Sequence, residues 1–295
     1  MKLQFSGHES FICKHFWLKK GYDFIQKDEI TFNDDLAVAK LGVGRNMVTA
    51  ITYWLKAYGI TDSSNNLTEF ANYLFQEGTG KDPYLENLGS IWLLHYNLIK
   101  TNKASLYSFF FNEFRRDKIE FTKEQFSNFL QRKVESSAKA NVNANTINVD
   151  ITVFIRNYLK AGSTNKKVEV EEEFSNLMID LQFMDSYTSE NAEGRNVEWY
   201  RVENAARIDL PYEVVLFTIL DNETYGMSVS FKELLSGFDS PGSIFALSDE
   251  GLYDKLRQIV ENYKGISYRE TAGVRELQFK SKPQKWSVLN DYYRA

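Results

Sequence analysis

The stretch that decides the fold reads Asn33-Asp34-Asp35-Leu36-Ala37-Val38-Ala39-Lys40-Leu41, Gly42-Val43-Gly44, then Arg45-Asn46-Met47-Val48-Thr49-Ala50-Ile51-Thr52-Tyr53-Trp54-Leu55-Lys56-Ala57-Tyr58-Gly59. In the second half, Met47, Val48, Ile51, Trp54, Leu55 and Tyr58 recur with the period of a helix and mark one apolar face. Arg45, Thr49, Thr52 and Lys56 form a second stripe on the other side, with Asn46 beside it on the first turn, and the stripe contains no acid. Upstream, residues 34–41 read as a short helix capped by Asn33. Short helix, glycine turn and longer amphipathic helix make the helix-turn-helix layout, whose second helix enters a major groove. A helical hairpin that merely packs a core gives the same pattern, so that alternative stays open. Gly59 closes the longer helix. Ile60-Thr61 and Leu67-Thr68 then flank a polar turn, where a wing would stand.

Outward from this stretch, composition bounds the rest. A chain of 295 residues is long enough for two domains or three small ones, and 43% hydrophobic residues suffice for their cores. No apolar run reaches the ~18 residues needed to span a bilayer, and residues 1–8 lack the apolar segment of a signal peptide. The single cysteine, Cys13, excludes an internal disulfide and fits a cytoplasmic protein. A net charge of −5 argues against a protein that coats nucleic acid indiscriminately. The charge is nevertheless uneven. No acid lies between Glu9 and Asp23, where Lys14, His15, Lys19 and Lys20 stand, nor between Asp35 and Asp62, where Lys40, Arg45 and Lys56 stand. Affinity for a polyanion follows the phosphates actually touched, so these lysines and Arg45, with Asn46, Thr49 and Thr52, are the candidate nucleic-acid ligands.

Residues 5–30 predict an extended entry followed by a helix from about Ser10 or Phe11 to Phe24. On such a helix His8 and His15, seven apart, share a face, and with Glu9 they form a candidate acid–base or metal cluster. The competing reading is that His8 and Glu9 hydrogen-bond the helix start and help to orient Lys19 or Arg45.

Downstream, Thr68 caps a helix over 69–75, and the Gly78-Thr79-Gly80-Lys81 fragment lacks the spacing of a phosphate-binding loop. Residues 85–98 predict a strongly apolar helix, with His95 a hydrogen-bonded core residue. The aromatic run 106–114 reads as core. Thr122 and Gln125 predict a capping box, residues 141–148 a polar loop, and 151–159 a helix. A β-hairpin is expected from 177–187 and 197–202 around a turn with Gly194. Pro211 opens the last region, with helices over 231–238 and 248–263 and strands over 266–270 and 274–280. The long helix there turns Asp249, Glu250, Asp254 and Glu261 outward, which phosphates would repel, so this unit reads as a protein-contact or homodimerisation module. Its hairpin carries Arg269, Arg275, Lys280 and Lys282. The expected fold is mainly α with small β-hairpins (α+β). It divides into an N-terminal winged-helix or helix-turn-helix unit (1–80), a helical middle (81–165) and a β-hairpin with a C-terminal winged-helix-like unit (166–295).

Several of these motifs carry a family resemblance. Gly7-His8-Glu9-Ser10-Phe11, Lys14, Trp17-Leu18-Lys19-Lys20, residues 40–48 and Tyr53-Trp54-Leu55 resemble the SspB-type family found beside bacterial DNA phosphorothioation genes. The likeness continues through Asp82-Pro83-Tyr84-Leu85-Glu86, Trp92-Leu93-Leu94-His95-Tyr96, Leu210-Pro211 and Thr271-Ala272-Gly273-Val274. Arginine is frequent in that family where this chain has Lys14, so a bidentate phosphate grip would here be a point-charge contact. The resemblance implies binding of double-stranded DNA in a modification and phage-defence system. It also implies nicking of that DNA, with a cysteine desulfurase and an ATPase as partners. No HNH motif, paired-strand D-E-x-K pattern or Walker A loop shows nicking from the sequence alone. A nick would call for Mg2+ or Mn2+ to stabilise charge on the transferring phosphoryl group. A transcriptional regulator and an assembly scaffold are the other classes that the helix-turn-helix allows.

Overall fold

The computed structural model describes residues 3–27, 30–137, 142–160, 176–190 and 193–294. They form two compact units, residues 1–202 and 203–295. Both are helical with a small antiparallel sheet, an α+β architecture.

The first unit begins with α1 (Trp17–Lys27), α2 (Leu36–Leu41), α3 (Arg45–Ala57) and α4 (Glu69–Phe75). Helix α1 packs on α2, α3 and α4. Its buried Trp17, Leu18, Gly21, Tyr22 and Phe24 form one helical face. Gly21 sits where a Cβ would meet Leu55 Cδ1 at 2.6 Å, so only glycine allows α1 to cross α3 this closely. The apolar face read for α3 is inside: Val48, Ile51, Trp54, Leu55 and Tyr58 are buried, and Met47 is half-buried. Helix α3 ends in a Schellman motif, with Gly59 left-handed, Gly59 N–H on Lys56 O and Ile60 N–H on Leu55 O at 2.8 Å. Thr68 caps α4 as expected.

Three local expectations differ. Residues 5–16 are not helical: Ser6, Gly7, Glu9 and Ser10 all have positive φ, which no α-helix accommodates. Helix α2 starts at Leu36, not 34, with Asp35 rather than Asn33 at its N-cap position and no side-chain cap bond from it; in the turn before it Asp34 Oδ1 accepts the Leu36 N–H at 2.8 Å. The wing place after α3 is reduced to a single bridge, Thr61 with Leu67. Its turn is held by Asp62, whose oxygens accept the Ser64 and Asn66 N–H groups and the Asn66 amide.

Helix α5 (Leu88–Lys100) is buried on nearly every side and is the axis of the first unit. Its end is tied to the end of α3, since Thr101 Oγ1 donates to Ala57 O at 2.7 Å. The expected middle helices therefore share a core with the N-terminal ones. Helix α6 (Ser105–Phe109), a π-helical turn (Phe110–Phe114) and α7 (Arg115–Asp117) run on from each other. The turn sends Phe110 against Phe126 and Phe154, and Phe111 against His95 and Phe183. His95 is fully buried, with Nδ1 2.9 Å from the Tyr158 hydroxyl. Strand β1 (Glu120–Phe121) leads into α8 (Lys123–Glu135), whose Thr122–Gln125 capping box is formed.

Helix α9 (Ala144–Tyr158) begins inside the expected asparagine loop, because Asn143 is its N-cap and accepts the Asn145 N–H. Asn141 lies outside the described residues. Strands β2 (Asp185–Glu190) and β3 (Asn196–Arg201) pair from Asp185↔Arg201 to Glu190↔Asn196, and β3 also pairs β1. The strand expected from 177 starts only at 185. Leu177, Met178, Leu181 and Phe183 are buried instead, in and around a 3-10 turn (Ile179–Leu181) that packs on α5 and α9.

In the second unit α10 (Tyr212–Asp221) starts after Pro211. Then come β4 (Ser228–Ser230), α11 (Phe231–Ser236), α12 (Pro241–Ile244), α13 (Asp249–Asn262), β5 (Ile266–Thr271), β6 (Val274–Phe279) and α14 (Lys285–Tyr292). The sheet order is β4-β6-β5. Ser248 caps α13 through the Gly251 N–H. Leu252, Leu256 and Ile259 are its core face.

Candidate nucleic-acid interface

The glycine turn sets the angle between α2 and α3. Gly42 is left-handed and ends α2, Val43 N–H returns to Val38 O, and Gly44 is extended and starts α3. Arg45, Asn46 and Thr49 are exposed on the outer face of α3, and Thr52 and Lys56 are half-buried on it. No acid occurs from residue 36 to 61. The Thr49 and Thr52 hydroxyls donate to Arg45 O and Val48 O within the helix, leaving their oxygens as acceptors. Lys56 shares a depression of about 470 Å3 with Tyr53, Ser63, Lys103 and Gln4. Sequence reasoning missed Lys103, because it comes from beyond α5.

Arg45 is not a free guanidinium. It donates to Phe32 O and Asp34 O, both at 3.2 Å, and pairs with Asp35. It therefore staples α3 to the segment before α2. Lys20 Nζ donates to Leu41 O at 3.1 Å, placing a cation on the carbonyl end of α2. Lys19 pairs with Asp23 at 2.5 Å. Lys14 is half-buried, its backbone bridged to Asn176. Lys40 is exposed near the end of α2.

The structure does not bring His8, Glu9 and His15 together. His8 is 4% exposed; its Nε2 lies 3.0 Å from Asp150 Oδ1 and its Nδ1 accepts the Ser10 N–H at 3.1 Å. An acceptor Nδ1 leaves the proton on Nε2, which donates to the carboxylate. The second carboxylate oxygen accepts the Ser6 N–H at 2.9 Å. The imidazole is stacked on Trp54 and edge-on to Tyr53. Gly7 completes this entry: a Cβ there would meet the Tyr53 ring at 2.7 Å, and its φ is +103. Glu9 is exposed. His15 donates Nε2–H to Leu85 O at 3.3 Å, and burial lowers its pKa. The shared face expected for the two histidines needed a helix that is not there.

Among the described residues, no three His, Cys, Asp or Glu side chains come together to hold a metal ion. Among the described residues there is thus no all-protein cage for Mg2+ or Mn2+. No helix of the described residues is long and apolar enough to cross a membrane. Cys13 is fully buried, and burial pushes its thiol pKa well up.

The first unit thus defines an α+β protein whose α3 presents an outer face with no acid of its own beside a histidine-locked entry segment. Over residues 5–293 the chain matches, and belongs to, the family described as "Protein of unknown function (DUF4007)". A solved structure described as "Magnesium ion-bound SspB crystal structure" is 25% identical with a TM-score of 0.84, covering 99% of this chain and 88% of that one. A second, "SspB crystal structure", is 27% identical with a TM-score of 0.81 and the same coverage, 99% and 88%. No curated protein sequence matches. The likeness to SspB read from the motifs extends over essentially the whole chain.

Proposed function

We propose that this chain is the DNA-binding subunit of a bacterial DNA phosphorothioate modification and defence system, contacting duplex DNA through the outer face of α3. The observation that carries the reading is that face, acid-free from residue 36 to 61 and held outward by the α2–glycine turn–α3 geometry. In this reading α1 to α3 with the 61–67 turn act as a reduced winged helix-turn-helix. Thr49, Thr52, Asn46 and Lys56 meet the groove and its phosphates, while Arg45 sets the angle of α3. The likeness to the SspB structures supports the assignment to such a system. Its partners are then a cysteine desulfurase and an ATPase, in the cytoplasm. The order of elements and the β4-β6-β5 sheet support a second winged helix in residues 203–295. The outward Asp249, Glu250 and Glu261 favour protein contact there over phosphate.

Nicking of the bound duplex completes the proposal, with an assisting Mg2+ or Mn2+ carried mainly by the DNA phosphates rather than by a protein cage. Purified protein is incubated with supercoiled plasmid, with and without each ion, and its affinity for a short duplex is measured across a salt series. Salt-sensitive duplex binding, and open circles only with the ion, are expected. Absence of duplex binding at low salt would overturn the α3 reading. Binding without open circles would leave a DNA-binding protein and remove the nick.

A further inference from the structure

Phe16 and Tyr84 are 64% and 61% exposed, among the most exposed large apolar side chains of the first unit. Both line one open depression of about 370 Å3 between α1, α2 and the loop before α5. Isolated exposed apolar residues are ordinary, but the segments that carry these two are joined to each other. His15, next to Phe16, donates to the carbonyl of Leu85, next to Tyr84, at 3.3 Å. Asp82 accepts the Glu86 and Asn87 N–H groups, each at 3.0 Å, and fixes the loop from its other side. The loop and the segment before α1 that carry the rings are therefore tied to each other, while the rings themselves stay exposed.

The charge around them is mostly positive. Among the described residues Lys19, Lys20, Lys27 and Lys40 line the same depression, and the one carboxylate among them, Asp23, is paired with Lys19. Lys20 and Lys40 also stand at the end of α2, so the depression is continuous with the helix-turn-helix. Aromatic faces beside a row of ammonium groups match a single-stranded nucleotide: the base stacks and the phosphates lie against the cations. A paired duplex, whose bases face each other, offers no such base.

We infer that Phe16 and Tyr84 hold an unpaired DNA base whose flanking phosphates are contacted by Lys19, Lys20, Lys27 and Lys40. The inference deepens the proposed function: it gives the protein a preference for a duplex with an extruded or gap-exposed nucleotide. His15 is a positioning residue in it.

Fluorescence anisotropy tests it with a perfect duplex, the same duplex with a one-nucleotide gap opposite an unpaired adenine, and polyglutamate. Wild type is expected to bind the gapped duplex about tenfold tighter than the perfect one. Phe16→Ala and Tyr84→Ala should each remove most of that margin and leave perfect-duplex affinity unchanged. A 2-aminopurine at the unpaired position should be quenched by wild type and not by the double variant. A margin unaffected by both substitutions overturns the inference, as does wild type that binds both duplexes equally. Polyglutamate binding lost in the variants, with no DNA margin, would make the surface a protein-docking face and overturn it too. Loss of perfect-duplex binding with the margin for the gapped duplex retained would overturn the α3 reading alone.

Discussion

His8 and Asp150, 142 positions apart in the chain, meet at 3.0 Å with the imidazole donating. The pair fastens the entry segment to α9, while the ring's face lies on Trp54 of α3. Both ring nitrogens are engaged, so the geometry favours His8 as a lock. His8→Ala strips a buried carboxylate of its side-chain donor, which costs about 2–3 kcal/mol. Urea unfolding should show that loss, and duplex affinity and any nicking should fall with it. Unchanged stability with nicking alone abolished would return His8 to catalysis.

The outer face of α3 separates reading from scaffolding. Lys56→Glu with Thr49→Glu should weaken duplex binding well over tenfold without changing the melting temperature. Lys56→Ala alone should reduce the slope of log affinity against log salt by about 0.9 if one phosphate contact is lost. Arg45→Ala behaves differently, because its guanidinium holds Phe32 O, Asp34 O and Asp35. It should lower stability as well as affinity. Full duplex affinity in the Lys56/Thr49 variant would remove α3 from the interface.

Cys13 sits in an apolar interior, and burial holds its thiol in the protonated form. Native protein at pH 8 should resist iodoacetamide and react only after unfolding. Cys13→Ala should leave DNA phosphorothioation in cells intact. Rapid labelling of the native protein would contradict the burial.

In the second unit Arg275 grips Asp249 through two N–H···O contacts of 3.1 and 2.8 Å and lies 3.9 Å over the Phe231 ring. The arginine hydrogen bonds hold the Asp249 pKa below the ordinary value. A depressed folded-state pKa contributes stability above the unfolded-state value, about 3.9, and loses it as pH falls through the folded value. The pair is largely exposed, so its worth at pH 7 is under ~1 kcal/mol. The stability gap between wild type and Arg275→Ala should narrow as pH falls below about 4, leaving the contact with Phe231. A gap constant from pH 7 to 2 would assign the whole effect to the ring.

Much of this fold was legible because its signals are local. The α3 periodicity, the Thr68, Thr122 and Ser248 caps and the Gly59 stop each depend on residues within a few positions of one another. The entry segment was not legible. Three of its left-handed residues, Ser6, Glu9 and Ser10, are not glycine, and its turn is fixed by Asp150 and Trp54 from elsewhere in the chain. The run from 177 to 184 has strand-like content, yet its side chains are drawn under α5. At the candidate interface the lysines were named from the lack of nearby acid. Spacing gave no sign that His15 would donate to Leu85 O in the loop of Tyr84, or that Arg45 would be tied to the segment before α2.

The π-helical turn at Phe110–Phe114 makes chain length itself a parameter of the first unit. A π-turn holds one residue more than the α-helical turn it replaces. Deleting a single residue between 110 and 114 would let the turn close as an α-helical one, keeping the helix after it nearly in phase but removing one position from the aromatic core. Phe110, Phe111 and Phe114 could then not all keep their contacts with Phe126, Phe183 and Phe121. The extra residue is what lets one turn of helix send phenylalanines to so many neighbours, and a relative that has lost it should have lost one of these contacts with it.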